Sequence, residues 1–262
     1  MRVVQPRHQS TAFLVVGGPT VVIDVAGLRL VTDPTFDGPG DYGALLKTEG
    51  PAIDPAEVAD ADAVLVSHAD HADNLDASGR DFALAAPLIV TNPGSARALG
   101  GAARGLSPWE GVDVGRGVRV TAVPATHGPA DGELDARGWV NCEVTGFVIE
   151  AGRERIYVSG DNTSMAHVGR IRDRFGSFDH AVVHAGRATV PGKFSGRPLS
   201  LSSERASAAA QLLEAPHVVV VHQTGWAHFV DGPGATIRAF RDAGILNVLD
   251  MAPHGRWSSA AR

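Results

Sequence analysis

The sequence predicts an α/β protein, on two observations. Three short apolar, β-branched runs separated by glycine-containing turns come first, and from residue 63 onward short apolar runs alternate with amphipathic or alanine-rich segments of helical length. Several of the apolar runs also end in histidine or aspartate, and the carboxyl ends of strands are where open α/β sheets form their ligand crevices.

Residues 12–16, 20–25 and 28–32 predict three strands, with Gly17-Gly18 and Ala26-Gly27 as hairpin turns. Asp33-Pro34 starts a turn. Residues 38–55, rich in Gly, Pro and Asp and carrying Tyr42 and Lys47, read as a long surface loop at a substrate rim. Residues 63–66 have the length and branching of a buried strand, and a short helix starts at Asn74. A strand at 87–91, a short helix at 94–99, a turn at 111–117 and a strand at 118–123 follow. Residues 130–141, ending near Trp139, form a polar excursion that reads as a lid or a hairpin. Residues 144–150 and 155–159 pair through Ala151-Gly152-Arg153, and the second strand runs into Gly160-Asp161. Residues 165–175 predict an amphipathic helix and 180–184 a strand. Residues 201–214 give the strongest helix signal, with Ser202 or Ser203 as cap and no internal Pro or Gly. Residues 217–221 form a buried strand, 235–243 a helix and 245–249 a last strand, and the tail 251–262 is expected to fray. No linker or low-complexity segment divides the chain, so 1–262 reads as one domain.

The densest chemistry is in Val64-Leu65-Val66-Ser67-His68-Ala69-Asp70-His71-Ala72-Asp73-Asn74-Leu75-Asp76. An apolar strand ends in His68, Asp70, His71 and Asp73, four ligand-type side chains within six residues. Neutral imidazole and carboxylate suit divalent zinc, manganese or iron. A solvated polar loop is the plain alternative. Against it stand further strand ends that carry His127, Asp161, His184 and His222. Taken alone, His127 reads as a turn histidine and Gly160-Asp161 as an ordinary turn.

This pattern resembles the metallo-β-lactamase superfamily, whose signature is His-x-His-x-Asp-His after a buried strand, and within it the branch of ascorbate-6-phosphate lactonase-like and related metal-dependent hydrolases. The resemblance covers roughly residues 13–249 and implies a four-layer αββα sandwich. The signature departs here in two registers. Read backward from Leu75, His71-Ala72-Asp73-Asn74 fits with Asn74 in place of the last histidine and His68 one residue further upstream. Read forward from His68, Asp70 falls where the second histidine belongs. Both registers retain His68 and Asp73. The resemblance further implies His127, Asp161 (bridging two metals) and His222 as ligands, and Asp33 as the residue that orients the metal loop. Trp226 and His228 are expected in the pocket wall, and His184 either lines the pocket or is a structural histidine. Zinc is the implied ion, one or two per chain, with manganese, iron or nickel as alternatives.

The implied chemistry is metal-assisted hydrolysis of a small-molecule ester, lactone or phosphodiester. Water made acidic by the ion, with a pKa brought to about 7, attacks the reacting centre. Asp73 or Asp161 orients it and moves its proton, and His184 and His228 serve the leaving group. A metal-retaining binding or sensor protein is the alternative. Gly-x-Ser-x-Gly, Walker-A and dinucleotide patterns are absent, and Cys142 lies in no nucleophile motif. A redox member with a flavin or oxygen-binding partner domain does not fit within 262 residues. Lys and Arg number 23 against 29 Asp and Glu, a net charge of −6 with no dense basic patch, so nucleic acid is not the expected partner. A single cysteine precludes an internal disulfide, and no signal-like or membrane-spanning apolar run occurs, so a cytoplasmic protein with no membrane partner is expected. A homo-oligomer stays open.

Overall fold

The turns at Gly17-Gly18 and Ala26-Gly27 take positive φ at all four residues, and at Ala26-Gly27 (50° and 74°) this is the backbone twist that joins tightly coiled antiparallel strands. They connect β1 (Ala12–Gly17), β2 (Thr20–Val25) and β3 (Leu28–Thr32) into an antiparallel meander. The computed structural model describes residues 4–129 and 141–259. The expected lid or hairpin at 130–141 therefore lies, apart from Asn141, outside the described residues.

After a two-residue ladder of β4 (Gly40–Asp41) and β5 (Leu46–Lys47), the chain forms β6 (Ala63–Leu65), α1 (Ala77–Ala85), β7 (Ile89–Thr91), α2 (Pro93–Leu99) and β8 (Ala103–Gly105). Then come β9 (Gly111–Gly115), β10 (Val118–Pro124), β11 (Thr145–Ala151), β12 (Glu154–Val158), α3 (Met165–Phe175), β13 (His180–His184), α4 (Ser203–Leu213), β14 (His217–Val221), α5 (Pro233–Asp242) and β15 (Trp257–Ser258). One sheet has the order β15-β1-β2-β3-β6-β7-β8, the other β14-β13-β12-β11-β10-β9.

The pleat sorts neighbouring side chains to opposite faces. Phe13, Ile23, Leu30 and Leu65 point between the sheets, against Val120, Phe147, Ile149 and Val182. Leu14, Val22, Val31 and Val64 point outward and meet Ala83 of α1 and Leu99 of α2. On the second sheet Val148, Tyr157, Ala181 and Val183 face Val168 and Ile171 of α3, Ala206, Ala209 and Leu213 of α4, and Phe240 of α5. Three apolar layers thus separate helix, sheet, sheet and helix, the αββα sandwich. Among the described residues no helix is long and apolar enough to cross a membrane.

Several local expectations are corrected. The segment at 111–117 is mostly a strand: β9 pairs antiparallel with β10, and Val112 and Val114 pack on the inter-sheet core. Its flanking glycines concealed this. The last strand expected at 245–249 is a 3₁₀ turn, Leu246–Val248, with one parallel bridge from Leu249 to Val218. The tail does not fray up to residue 259. Its β15 pairs with Phe13 and Leu14, and the Trp257 indole N–H donates to Gln5 Oε1 at 2.5 Å, covering the edge of β1. Helix α1 starts at Ala77 rather than Asn74, because Asn74 and Leu75 turn back to the His71 carbonyl and Asp76 caps the helix. Lys47 is buried, not on a surface loop: its ammonium meets Asp76 Oδ2 at 2.8 Å and lies 5.3 Å from the Trp226 ring centre.

Asp76 therefore anchors the exit of the ligand-rich loop. Besides Lys47 it accepts the backbone N–H groups of Phe36, Asp37 and Gly79 at 2.8–3.0 Å. Asp76→Ala leaves a buried ammonium without its carboxylate and two buried N–H donors and one half-buried donor without this acceptor. A loss of about 3–5 kcal/mol is expected, measurable as a lower urea midpoint at unchanged slope; a loss under about 1 kcal/mol, the scale of an exposed ion pair, would contradict this role.

Candidate metal centre

β3 runs parallel to β6, and β12, β13 and β14 run parallel to one another, with β10 in the same sense through antiparallel β11. The carboxyl ends of these strands share one edge of the sandwich. They deliver Asp33, His68, His127, Asp161, His184 and His222 there. Asp33 joins the two sheets at that edge. Its Oδ1 accepts the Ser67 N–H at 2.6 Å, immediately before His68, and its Oδ2 lies 3.2 Å from His184 Nε2. His184 Nδ1 is 3.3 Å from Ser159 Oγ, which also accepts the His184 N–H. His184 is fully buried with both ring nitrogens engaged. It stands behind the site, its ring centre 5.6 Å from that of His222, and does not line the cavity.

The first donor group is His68, His71 and His127. His71 Nδ1 lies 2.9 Å from His68 Nε2 and 3.1 Å from His127 Nε2. The outer nitrogens have other neighbours: His127 Nδ1 donates to the Leu199 carbonyl at 2.7 Å, and His68 Nδ1 lies 3.0 Å from Ser67 Oγ. Such contacts set the tautomer so that the inner nitrogen presents a lone pair. Cys142 belongs to this group as well; its Sγ and the three histidine ligand atoms all lie within 4.8 Å of one another. Sequence reasoning missed it, since Cys142 stands far from the loop in the chain and only the backbone bridge between His127 and Cys142 brings it near.

The second group is Asp73, Asp161 and His222, all buried. His222 Nε2 is 3.3 Å from Asp73 Oδ2 and 3.4 Å from Asp161 Oδ1, while Asp161 Oδ2 is 3.8 Å from His127 Nε2, so Asp161 stands between the groups. Asn74 is buried beside them and donates to Ser67 Oγ at 3.3 Å. Backbone strain helps to aim His222: its φ is 62°, and its carbonyl lies where a Cβ on Gly186 would sit, 1.7 Å away. His228 Nε2 reaches Asp73 Oδ2 at 2.9 Å from the cavity wall. Trp226, by contrast, is buried beneath the rim, 5.4 Å from Tyr42 between ring centres, and is not in the wall. Of the four loop candidates, Asp70 is exposed at the cavity mouth and lies outside both groups, an arrangement that matches the backward register.

Burial, reinforced by neighbouring imidazoles, holds His68 well below its ordinary pKa, and burial lowers His71 too. Burial lowers His127 to about 3 and His222 to about 4. Burial also drives Asp161 well above the usual carboxylate range, helped by the charges of Asp73 and Asp33. For Asp73 burial acts the same way, but the nearby imidazoles of His222 and His228 outweigh it and hold the group well below that range. Neutral imidazoles therefore face carboxylates with no buried Lys or Arg among them in the described residues. Among the described residues, both Asp161 oxygens, Asp73 Oδ1, Asn74 Oδ1 and both His222 ring nitrogens have no hydrogen-bond partner. Buried polar atoms are rarely left so. Orphaned lone pairs on imidazole and carboxylate fit one or two divalent transition-metal ions.

A family profile described as the Beta-lactamase superfamily domain matches residues 28–223. The chain belongs to the metallo-β-lactamase superfamily. Solved structures agree in fold. An isothiocyanate hydrolase from Delia radicum gut bacteria superposes with a TM-score of 0.80 at 19% identity, over 95% of this chain and 99% of that one. A possible metal-dependent hydrolase from Veillonella parvula gives 0.80 at 14% identity, over 95% and 99%. CmlA, a diiron β-hydroxylase from Streptomyces venezuelae, gives 0.62 at 18% identity over 92% of this chain and 51% of that one. No curated protein matches the chain. These similarities reach the metallo-β-lactamase superfamily and stop short of its lactonase branch.

The protonation states make acid stability a measurable property of this metallo-β-lactamase fold. Unfolded histidine titrates near pH 6.5. His127, titrating at about 3, and His222, at about 4, stay neutral in the folded protein well below that, and His68 and His71 are lowered in the same direction. Between these limits the unfolded chain binds more protons, so acid destabilises the fold. Asp161, raised, acts oppositely, but it is one group against four. The Tm of chelator-treated protein should fall as pH drops from about 6.5 toward 4, and less steeply in His127→Ala; a pH-independent Tm across that window would contradict the buried neutral histidines.

Proposed function

We propose that the chain is a metal-dependent hydrolase of small molecules. The observation that carries this reading is the set of unpartnered Asp73, Asp161 and His222 atoms beside three converging imidazoles at the base of a cavity. His68, His71, His127 and Asp161 would hold one ion, and Asp73, Asp161 and His222 a second. Zinc is the ion we favour, with manganese, iron or nickel as alternatives; the likeness to a diiron enzyme keeps iron in view. A divalent ion supplies Lewis acidity, bringing the ionisation of water toward neutral pH and withdrawing charge from a substrate oxygen.

The protein's own groups do the rest. Asp73, ionised and held by His228, is placed to accept a proton from water. His228 Nε2, on the cavity side of Asp73, can pass a proton to the leaving group or steady developing negative charge. Leu45, Ala188, Val190 and Leu199 give the cavity apolar lining, and its volume of about 170 Å³ suits a small substrate with an apolar body. An electrophilic carbon or phosphorus at the histidine end would meet the activated water. Esters, lactones and phosphodiesters are the first substrates to test, and the fold shared with an isothiocyanate hydrolase adds isothiocyanates to them.

Protein purified without chelators should contain a transition metal by elemental analysis, and turnover of one of these substrates should vanish on metal removal and return on reconstitution. His127→Ala should lower metal content and activity together. His228→Ala should keep its metal and lose about 1–3 kcal/mol of transition-state stabilisation; loss of metal equal to that in His127→Ala would make His228 a ligand and overturn its role.

The two ion positions should also differ in strength. Asn74 takes the place where the superfamily signature has a histidine, and an amide oxygen is a weaker zinc ligand than imidazole. One tightly held ion and a weaker second are expected by titration calorimetry, with Asn74→His tightening the second. Two equally tight ions in the unmodified protein would contradict this.

A further inference from the structure

We propose that Cys142 supplies a thiolate ligand to the ion that His68, His71, His127 and Asp161 would hold, adding one sulfur to that donor set; the proposal rests on the metal-dependent reading above. The placement carries it. Cys142 Sγ and the ligand atoms of all three histidines lie within 4.8 Å of one another. Its position is imposed by the backbone, since Cys142 forms an antiparallel bridge with His127 itself. A second observation points to a ligand at the same place. Asp161 is fully buried, and its unpartnered Oδ2 is directed toward His127 Nε2 at 3.8 Å.

The chemistry of the donor set agrees. Sulfur at such a site favours zinc, cobalt and iron over magnesium or manganese, which prefer oxygen. Without a cation Cys142 is a partly buried free thiol, which keeps a small thiolate fraction open to alkylation. On binding a divalent ion the Sγ–H bond breaks, its electron pair becomes the metal–sulfur bond, and the proton leaves to solvent. No oxidant or co-reactant is involved.

Cys142 is the sole cysteine of the chain, which makes the test specific. The full chain, purified without thiol reductants and stripped with chelator, is titrated with Co²⁺ under anaerobic conditions. A near-ultraviolet sulfur-to-cobalt charge-transfer band should rise with the first equivalent, together with the visible ligand-field bands. Cys142→Ala should retain the ligand-field bands, lack the charge-transfer band and bind Co²⁺ at least about tenfold more weakly. Alkylation of the single thiol by iodoacetamide in the unmodified protein should likewise slow at least about tenfold with one equivalent of zinc, a readout independent of how the variant folds. Ligand-field bands that saturate with no charge-transfer band, with alkylation unaffected by zinc, would overturn the thiolate ligand while leaving the metal site intact. Absence of any cobalt or zinc binding would overturn the metal-dependent reading and this proposal together.

Discussion

Two carboxylates, Asp73 and Asp161, are buried at the junction of the sheets among imidazoles that burial keeps neutral. Removing such charge from water is costly unless a cation or proton offsets it. Among the described residues no lysine or arginine enters the group, and the carboxylate oxygens of Asp161 have no hydrogen-bond partner. Burial raises Asp161 well above the usual carboxylate range, which offsets part of that cost with a proton, and the donor set suits a divalent cation. Every element at this edge of the sandwich is organised around that demand. The strand ends converge, the loop from His68 to Asp76 folds back on itself, and both ends of that loop are tied down, by Asp33 at Ser67 and by Lys47 at Asp76.

The ties show how a rigid fold holds ligands that repel one another without a cation. Asp33 follows a strand of the first sheet and meets His184 at the end of a strand of the second, so one carboxylate couples the two sheets directly beneath the donors. Gly186, with no side chain, lets the chain after β13 press against the His222 carbonyl. The energy to hold His222 at positive φ and three imidazole nitrogens near one another comes from apolar packing such as the layer between the sheets, where Phe13, Leu30, Leu65, Phe147 and Val182 are wholly or almost wholly buried. Preorganisation by a packed scaffold is what makes a metal centre selective in geometry.

Much of this was legible in the chain. Branched apolar runs bounded by glycine marked the meander, and Ser202 ahead of an alanine-rich stretch marked α4, because these signals act locally. Runs ending in His68, His127, Asp161, His184 and His222 marked the edge where the donors gather. Elements held by few local preferences were not legible. β9 is flanked by glycines, β15 is only two residues long, and the residues after α5 make a single bridge rather than a ladder. Each depends on what the neighbouring strand offers.

The sequence by itself determined the α/β class, the strand-end position of the histidines and aspartates, and the ambiguity of the loop between His68 and Asp73, since alternation, turn chemistry and spacing are properties of short segments. Tertiary structure decided which of those residues face one another. It turned Asp70 outward and His71 inward, set His184 behind the centre on Asp33, and buried Lys47 against Asp76. It also brought Cys142 to histidines 71 and 74 residues earlier in the chain through one backbone bridge to His127. Contacts between residues so far apart arise only when two sheets close on a shared apolar core, and no local pattern encodes the register in which they close.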